Sequence, residues 1–335
     1  MRTKPFTRIL AVYGAGLLLL LLWPVSTRPI PHAARNFAMS LCRMLQVNYV
    51  SAGPLSALPT LPAPRSNHDH DIDFPVKELE TITKSFALPA AHHSIEVDNV
   101  FGSIEVVGGT SDQIELTVQK TLRAESKEAM ELAKKEVTLD VTQKDGEVKL
   151  YVNGPFRCNC DDGCRKHRDF EGYIVKMDFV LHVPRDIDTH VSTVNEGHIT
   201  VRNVAGAFVV RNINGDIRMD NVAGSGIAHT VNGPVKVTFR ENPRDKSSFE
   251  SINGNIELSF VRGLSADFRF KTFNGAIYSD FPVTALPAHA MQEEHEGGKR
   301  IFHADRFTSA RVSSGGPEID IENLNGDIRI LENHE

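Results

Sequence analysis

The stretch VVRNINGDIRMDNVAG, residues 209–224, decides how this chain folds. At its centre lies Ile213-Asn214-Gly215-Asp216-Ile217. Relatives of that pentad recur as VNGPV at 231–235, INGNI at 252–256, FNGAI at 273–277 and LNGDI at 324–328. An Asn-Gly pair between apolar residues ordinarily signals a two-residue β-hairpin turn. Strand register tests that reading. A turn at Asn214-Gly215 pairs Ile213 with Asp216 and Asn212 with Ile217; turns at Asn253-Gly254 and Asn325-Gly326 pair Ile252 with Asn255 and Leu324 with Asp327. Each sets an apolar residue against a polar one, whereas a paired ladder keeps one face apolar. The contrast is VTLDVTQKDGEVKLYV at 137–152. A turn at Asp145-Gly146 sets Lys144 against Glu147, Val141 against Leu150 and Leu139 against Val152, so this segment reads as a hairpin.

The alternative for the pentads is that the chain continues past each glycine. Ile213, Gly215, Ile217 and Met219 then share one face, as do Leu324, Gly326, Ile328 and Ile330. Glycine there lets the backbone bend or approach a neighbour closely. Gly197, Gly215 and Gly233 follow at intervals of 18 residues, and Gly254 and Gly275 at 21. Half-steps of another type, Asn203-Val-Ala-Gly206 and Asn221-Val-Ala-Gly224, fall between them. Such a period points to coils stacked in chain order, each about 4.8 Å above the last. Asn195, Asn214, Asn232, Asn253, Asn274 and Asn325 would then align in a hydrogen-bonded ladder, as stacked asparagines do. The expected fold is all-β: a β-solenoid-like stack of short strands with one hairpin and one capping helix. Its structural corners are Asn214, Gly215, Asn232, Gly233, Asn253, Gly254, Asn274, Gly275, Asn325 and Gly326.

The rest of the chain fits around this body. Alternating runs at Ile95/Val97, Ile104/Val106 and Ile114/Leu116/Val118 read as strands. AESKEAMELAKKEV at 124–137 reads as a helix, with Met130, Ala133 and Val137 at helical spacing. Arg2, Lys4 and Arg8 precede an apolar run from Ile9 to Trp23, closed by Pro24. Residues 1–25 are therefore an export signal or a single membrane anchor, with the body outside the cytoplasm, periplasmic or at the cell surface. Residues 26–80 form a Pro-rich linker, and 81–335 the repetitive β domain. Of the 335 residues 24% are charged, net charge is −6 and no long basic block occurs, which argues against a nucleic-acid partner.

The run FVLHVPRDIDTHVSTVNEGHITVRNVAG resembles the bacterial putative-adhesin domain family, a domain of unknown function with repeated GdI-type strands. The likeness is carried by Val183-Pro184-Arg185-Asp186, Val194-Asn195-Glu196-Gly197-His198-Ile199, the later pentads and the closing SSGGPEIDIENLNGDIRI at 313–330. It covers roughly residues 90–335 and implies the repetitive β fold. It brings no catalytic residues with it. Glu196 departs from the family pattern by adding a residue before Gly197, so a bulge is expected at that corner.

Few residues suggest chemistry. FRCNCDDGCRKHRDF, 156–170, gathers Cys158, Cys160, Cys164 and His167, ligand types suited to zinc at a spacing unusual for it. In an exported chain the same cysteines, with Cys42, are disulfide candidates. His68-Asp69-His70-Asp71 has chelating residues but lies in the linker, and His92-His93 has no partner pattern. Residues 285–311 interrupt the repeats; they carry His289, Glu293 and His295 without the HExxH spacing, with strands expected only over Ile301–Val312. No nucleotide-loop, hydrolase-elbow or calcium-loop motif occurs. The expectation is a non-enzymatic cell-envelope protein without a cofactor, a binding or scaffold module whose partner is an envelope protein or surface polymer. Two alternatives stay open. One is an envelope-stress regulatory module with the cysteine loop as switch. The other is a β-helix enzyme acting on polysaccharide through aligned acids among Asp216, Asp220, Asp267 and Asp280.

Overall fold

The computed structural model describes residues 74–88, 93–157, 172–287, 292–296, 299–303 and 307–333. The apolar segment, most of the linker, Cys42 and the loop holding Cys158, Cys160, Cys164 and His167 lie outside them.

The chain enters on β1 (Val76–Ala87), inside the stretch read as linker, and makes its first corner between β2 (Ser94–Asp98) and β3 (Ile104–Gly109). A digression follows through β4 (Gln113–Ala124), α1 (Lys127–Glu136), β5 (Thr138–Lys144), β6 (Glu147–Asn153) and β7 (Tyr173–Pro184). Corners then come in succession: β8 (Asp188–Ser192) to β9 (Ile199–Arg202), β10 (Phe208–Arg211) to β11 (Ile217–Val222), and β12 (Gly226–Asn232) to β13 (Val235–Phe239). They continue with β14 (Ser247–Asn253) to β15 (Ile256–Val261) and β16 (Ala266–Asn274) to β17 (Ile277–Ser279). A second digression, β18 (Val283–Ala285), β19 (Gln292–Glu296), β20 (Lys299–His303) and β21 (Thr308–Val312), precedes the last corner, β22 (Glu318–Asn325) to β23 (Ile328–Asn333).

Every corner carries the chain from one sheet to the other. The first sheet has ten strands in the order β1-β4-β7-β3-β9-β11-β13-β15-β23-β17; the second has eleven, β18-β21-β16-β22-β14-β12-β10-β8-β2-β6-β5. From β3 to β17 and from β2 to β16 all neighbours are parallel. Ile199, Ile217, Val235, Ile256 and Ile328 stand in one register column, each fully or almost fully buried. The pentads are thus solenoid corners, not hairpins. The Asp145-Gly146 turn is a hairpin, with Lys144 opposite Glu147, Val141 opposite Leu150 and Leu139 opposite Val152. Asp145 and Gly146 both adopt positive φ, 51° and 85°, as that tight turn demands.

Stacking does not follow chain order. The last coil, β22–β23, is inserted between β14–β15 and β16–β17. Opposite charges line much of the inserted strand, although Glu250 of β14 faces Glu322. Strand β22 carries Glu318, Asp320 and Glu322, and basic residues flank it on both sides. Lys246 lies 2.5 Å from Glu318 and 2.9 Å from Asp320, Arg269 lies 3.4 Å from Asp320, and Lys271 pairs with Glu322. The interruption is also more ordered than expected. Its strands β18 and β21 join the second sheet antiparallel, and Arg311 forks onto both carboxylate oxygens of Asp267 at 2.7 and 2.8 Å.

The shared face expected across each corner needs correction. Core-facing residues run Phe208, Val210, Asn212 before the corner and Ile217, Met219 after it, so parity slips within the pentad. Ile213 is buried but stands outside the hydrophobic core cluster, as do Val100 and Val194. The residue turned inward just before each corner is polar.

At the other end, α1 connects β4 of the first sheet to β5 of the second. Ser126 caps it, its hydroxyl accepting from Ala129 N at 3.1 Å, and Met130, Ala133 and the following Val137 are buried. Lys120 reaches its last turn, donating to Val137 O at 2.8 Å, and burial holds its pKa below the usual lysine value. Between the sheets lies a run of rings, Phe208, Phe249, Phe239, Phe260 and Phe268, with neighbouring centroids 5.0 to 6.4 Å apart.

Candidate binding faces

The corner edge is built from three columns. The outermost is asparagine. Nδ2 of Asn214 donates to Oδ1 of Asn195 at 2.8 Å, Asn232 to Asn214 at 2.8 Å, Asn253 to Asn232 at 2.8 Å, Asn325 to Asn253 at 2.7 Å and Asn274 to Asn325 at 2.8 Å. The second is glycine backbone. A Cβ at Gly215 would lie 2.0 Å from Gly197 O, and one at Gly254 would lie 2.2 Å from Gly233 O. Neither glycine has positive φ, so close approach of the next rung, not turn geometry, excludes a side chain.

The third column lies inside. Thr193, Asn212, Thr230, Ser251 and Asn323 each donate to a corner glycine carbonyl on a neighbouring rung, at 2.8–2.9 Å: Gly102, Gly197, Gly215, Gly233 and Gly254 in turn. These donors satisfy carbonyls that the slip in parity leaves without a ladder partner. The sequence does hold the signal, a Thr, Ser or Asn two residues before each corner asparagine. At the Asn195 corner Glu196 takes φ 53°, where the extra residue is absorbed. The half-steps make the opposite corner, with Asn203 and Asn221 both at φ 58° and Asn221 Nδ2 donating to Asn203 Oδ1 at 2.6 Å.

The acids considered for glycan cleavage do not converge. Asp216 pairs with His198, Asp220 with Arg218 at 2.7 Å, Asp267 with Arg311, and Asp280 Oδ2 accepts from Glu332 N at 3.1 Å. The cysteine and histidine candidates, Cys42, Cys158, Cys160, Cys164, His167, His68, His70, His92 and His289, lie outside the described residues. Glu293 and His295 lie on β19. Among the described residues no cluster of His, Cys, Asp and Glu has metal-binding geometry, and no helix is long and apolar enough to cross a membrane.

Sequence reasoning missed a polar row on the outer face of the second sheet. Asp98, Ser192, Arg211, His229, Glu250, Glu322 and Lys271 stand in register on successive strands. At one end Arg157 lies 3.0 Å from Asp98 and stacks over Tyr151; burial still raises the Asp98 pKa, against the pull of Arg157. Mid-row, His229 Nδ1 is 3.5 Å from Glu250 Oε2, and its Nε2 is 3.0 Å from Ser248 Oγ. Burial, then the charge of Glu322, pushes Glu250 up to about 7. Burial, then the charge of Arg211, pushes His229 down to about 3. Between pH 4.5 and 6.5 the native pair therefore keeps its proton on Glu250, while the unfolded chain keeps it on the imidazole.

No family model matches the chain, and no curated protein is significantly similar to it. Solved structures do resemble it. One is of a "putative cell adhesion protein" from Clostridium sporogenes, at 12% identity and TM-score 0.33, covering 76% of this chain and all of that one. Another is of a "putative adhesin" from Bacteroides fragilis, at 12% identity and TM-score 0.29, covering 76% of this chain and 97% of that one.

Proposed function

We propose that the protein is a non-enzymatic, exported cell-envelope module that binds a partner or polymer through the long faces of an adhesin-like β-solenoid. One observation carries this reading. Outward residues are held in register from rung to rung, in parallel ladders pinned at the corners by the asparagine and glycine-carbonyl columns. A rigid, repeating surface suits an extended partner. The basic N-terminus and apolar run support export. The separate engagement of Asp216, Asp220, Asp267 and Asp280 favours binding over cleavage. The test is to incubate the full-length chain with purified cell-wall and capsular glycans, measuring retention and new reducing ends. Saturable retention without new ends supports the reading; release of new ends by the pure protein overturns it.

A further inference from the structure

The outer face of the first sheet carries a charge pattern that neither core nor corner requires. On β9, β11, β13 and β23 a cation stands beside an acid. Arg202 lies 3.1 Å from Glu105, Arg218 2.7 Å from Asp220, Lys236 2.6 Å from Glu257 and Arg329 3.7 Å from Asp327. In each pair the cation is the more exposed partner: 56% against 28% for Arg218 and Asp220, 45% against 26% for Lys236 and Glu257. The acids lie close to the sheet and the cationic heads stand outside them.

Three of the heads share one row. Arg218 and Lys236 face one another on adjacent strands, and Arg329 stands in the same row beyond Glu257. Arg218 and Lys236 are therefore about 4.8 Å apart along the stack and Lys236 and Arg329 about 9.6 Å, with Glu257 between them; Arg202 stands in the neighbouring row, opposite Asp220. The row ends in Tyr278, in register with Arg329 and exposed, with the guanidinium 5.8 Å from the ring centroid.

We propose that this row binds a linear anionic polysaccharide lying along the stack axis, a deepening that rests on the binding-module reading above. Cationic heads at one and at two strand spacings meet repeated carboxylates or sulfates, and Tyr278 offers a flat ring to a sugar face. The neighbouring acids hold the cations extended while leaving their outer N–H groups for the ligand. Single-stranded nucleic acid is a poorer fit, because its binding relies on a series of stacking aromatics and this row has one.

The experiment measures binding of the full-length chain to polygalacturonate, with neutral dextran as control. Saturable binding to polygalacturonate alone is expected, weakening toward about 0.5 M salt as the exposed charges are screened. The triple variant R218Q/K236Q/R329Q should bind about tenfold more weakly, from three exposed charge contacts of modest strength. D220N/E257Q, which unmasks the cations, should bind more tightly, and Lys84→Gln on the distant β1 should change nothing. Circular dichroism and the thermal midpoint check that each variant is folded. The proposal is overturned by absence of binding, by binding that both multiple variants leave unchanged, or by tighter binding of a single-stranded oligothymidylate. If other envelope glycans are retained regardless of these variants, this face is wrong and the binding-module reading stands. If the protein cleaves the glycan, the module reading itself falls.

Discussion

Replacing Gly215 with alanine places a methyl group 2.0 Å from Gly197 O and 2.7 Å from Asn212 Nδ2. Ordinary contact begins near 3.4 Å, so the rungs must separate locally by about 1.4 Å. Two bonds span that gap, Asn214 Nδ2 to Asn195 Oδ1 at 2.8 Å and Asn212 Nδ2 to Gly197 O at 2.9 Å. Both would be stretched beyond bonding distance. Their loss costs roughly 0.5–1.5 kcal/mol each, and overpacking against backbone adds roughly 1–3 kcal/mol. The expected destabilisation is about 4 kcal/mol, read as a lower urea midpoint at unchanged slope. Gly263 is the control: its φ is +82° and a Cβ there meets nothing within 4 Å, so Gly263→Ala costs only backbone strain, about 1–2 kcal/mol. A Gly215→Ala cost at or below that of Gly263→Ala would refute close stacking at the corners.

Further outcomes follow from the polar row and the ladder. Glu250 has its folded pKa above the unfolded value, so between pH 4.5 and 7 this side chain is protonated in the native state and ionised in the unfolded chain, and the stability it contributes falls as pH rises through that window. Glu250→Gln should therefore stabilise the protein by up to about 3 kcal/mol above pH 7, the gain vanishing toward pH 4.5 in denaturant titrations across pH. Asn232→Ala removes one donated and one accepted ladder bond at an exposed position and should cost about 1–2 kcal/mol; Asn232→Asp, which keeps the acceptor but sets a carboxylate oxygen against Asn214 Oδ1, should cost at least as much in the same assay.

Much of the architecture could be read from local chemistry. Failed register at Asn214-Gly215 and successful register at Asp145-Gly146 separated corner from hairpin, because side-chain alternation is local. Helix α1 was equally local, with Met130, Ala133 and Val137 at helical spacing. The insertion of β22–β23 was not legible, because FNGAI and LNGDI are interchangeable as corners. Pairing of Glu318 and Asp320 with Lys246, and of Glu322 with Lys271, joins residues far apart in the chain. The parity slip was hidden by Ile213, whose apolar side chain mimics a core residue while Asn212 turns inward. The cationic row of Arg218, Lys236 and Arg329 was invisible for a related reason: each residue is an ordinary exposed charge until parallel stacking lines them up.

The most direct test of the stack and its order is disulfide trapping between paired cysteines introduced at the asparagine column. Asn253 and Asn325 are register partners on adjacent strands, and Asn325 separates Asn253 from Asn274. Under mild oxidation, with linkages mapped by mass spectrometry, N253C/N325C should cross-link readily. N253C/N274C, two strands apart at about 9.6 Å, should not, being beyond the reach of a disulfide. Preferential bridging of 253 to 274 would contradict the inserted rung, and failure of both pairs would contradict parallel stacking of the corners.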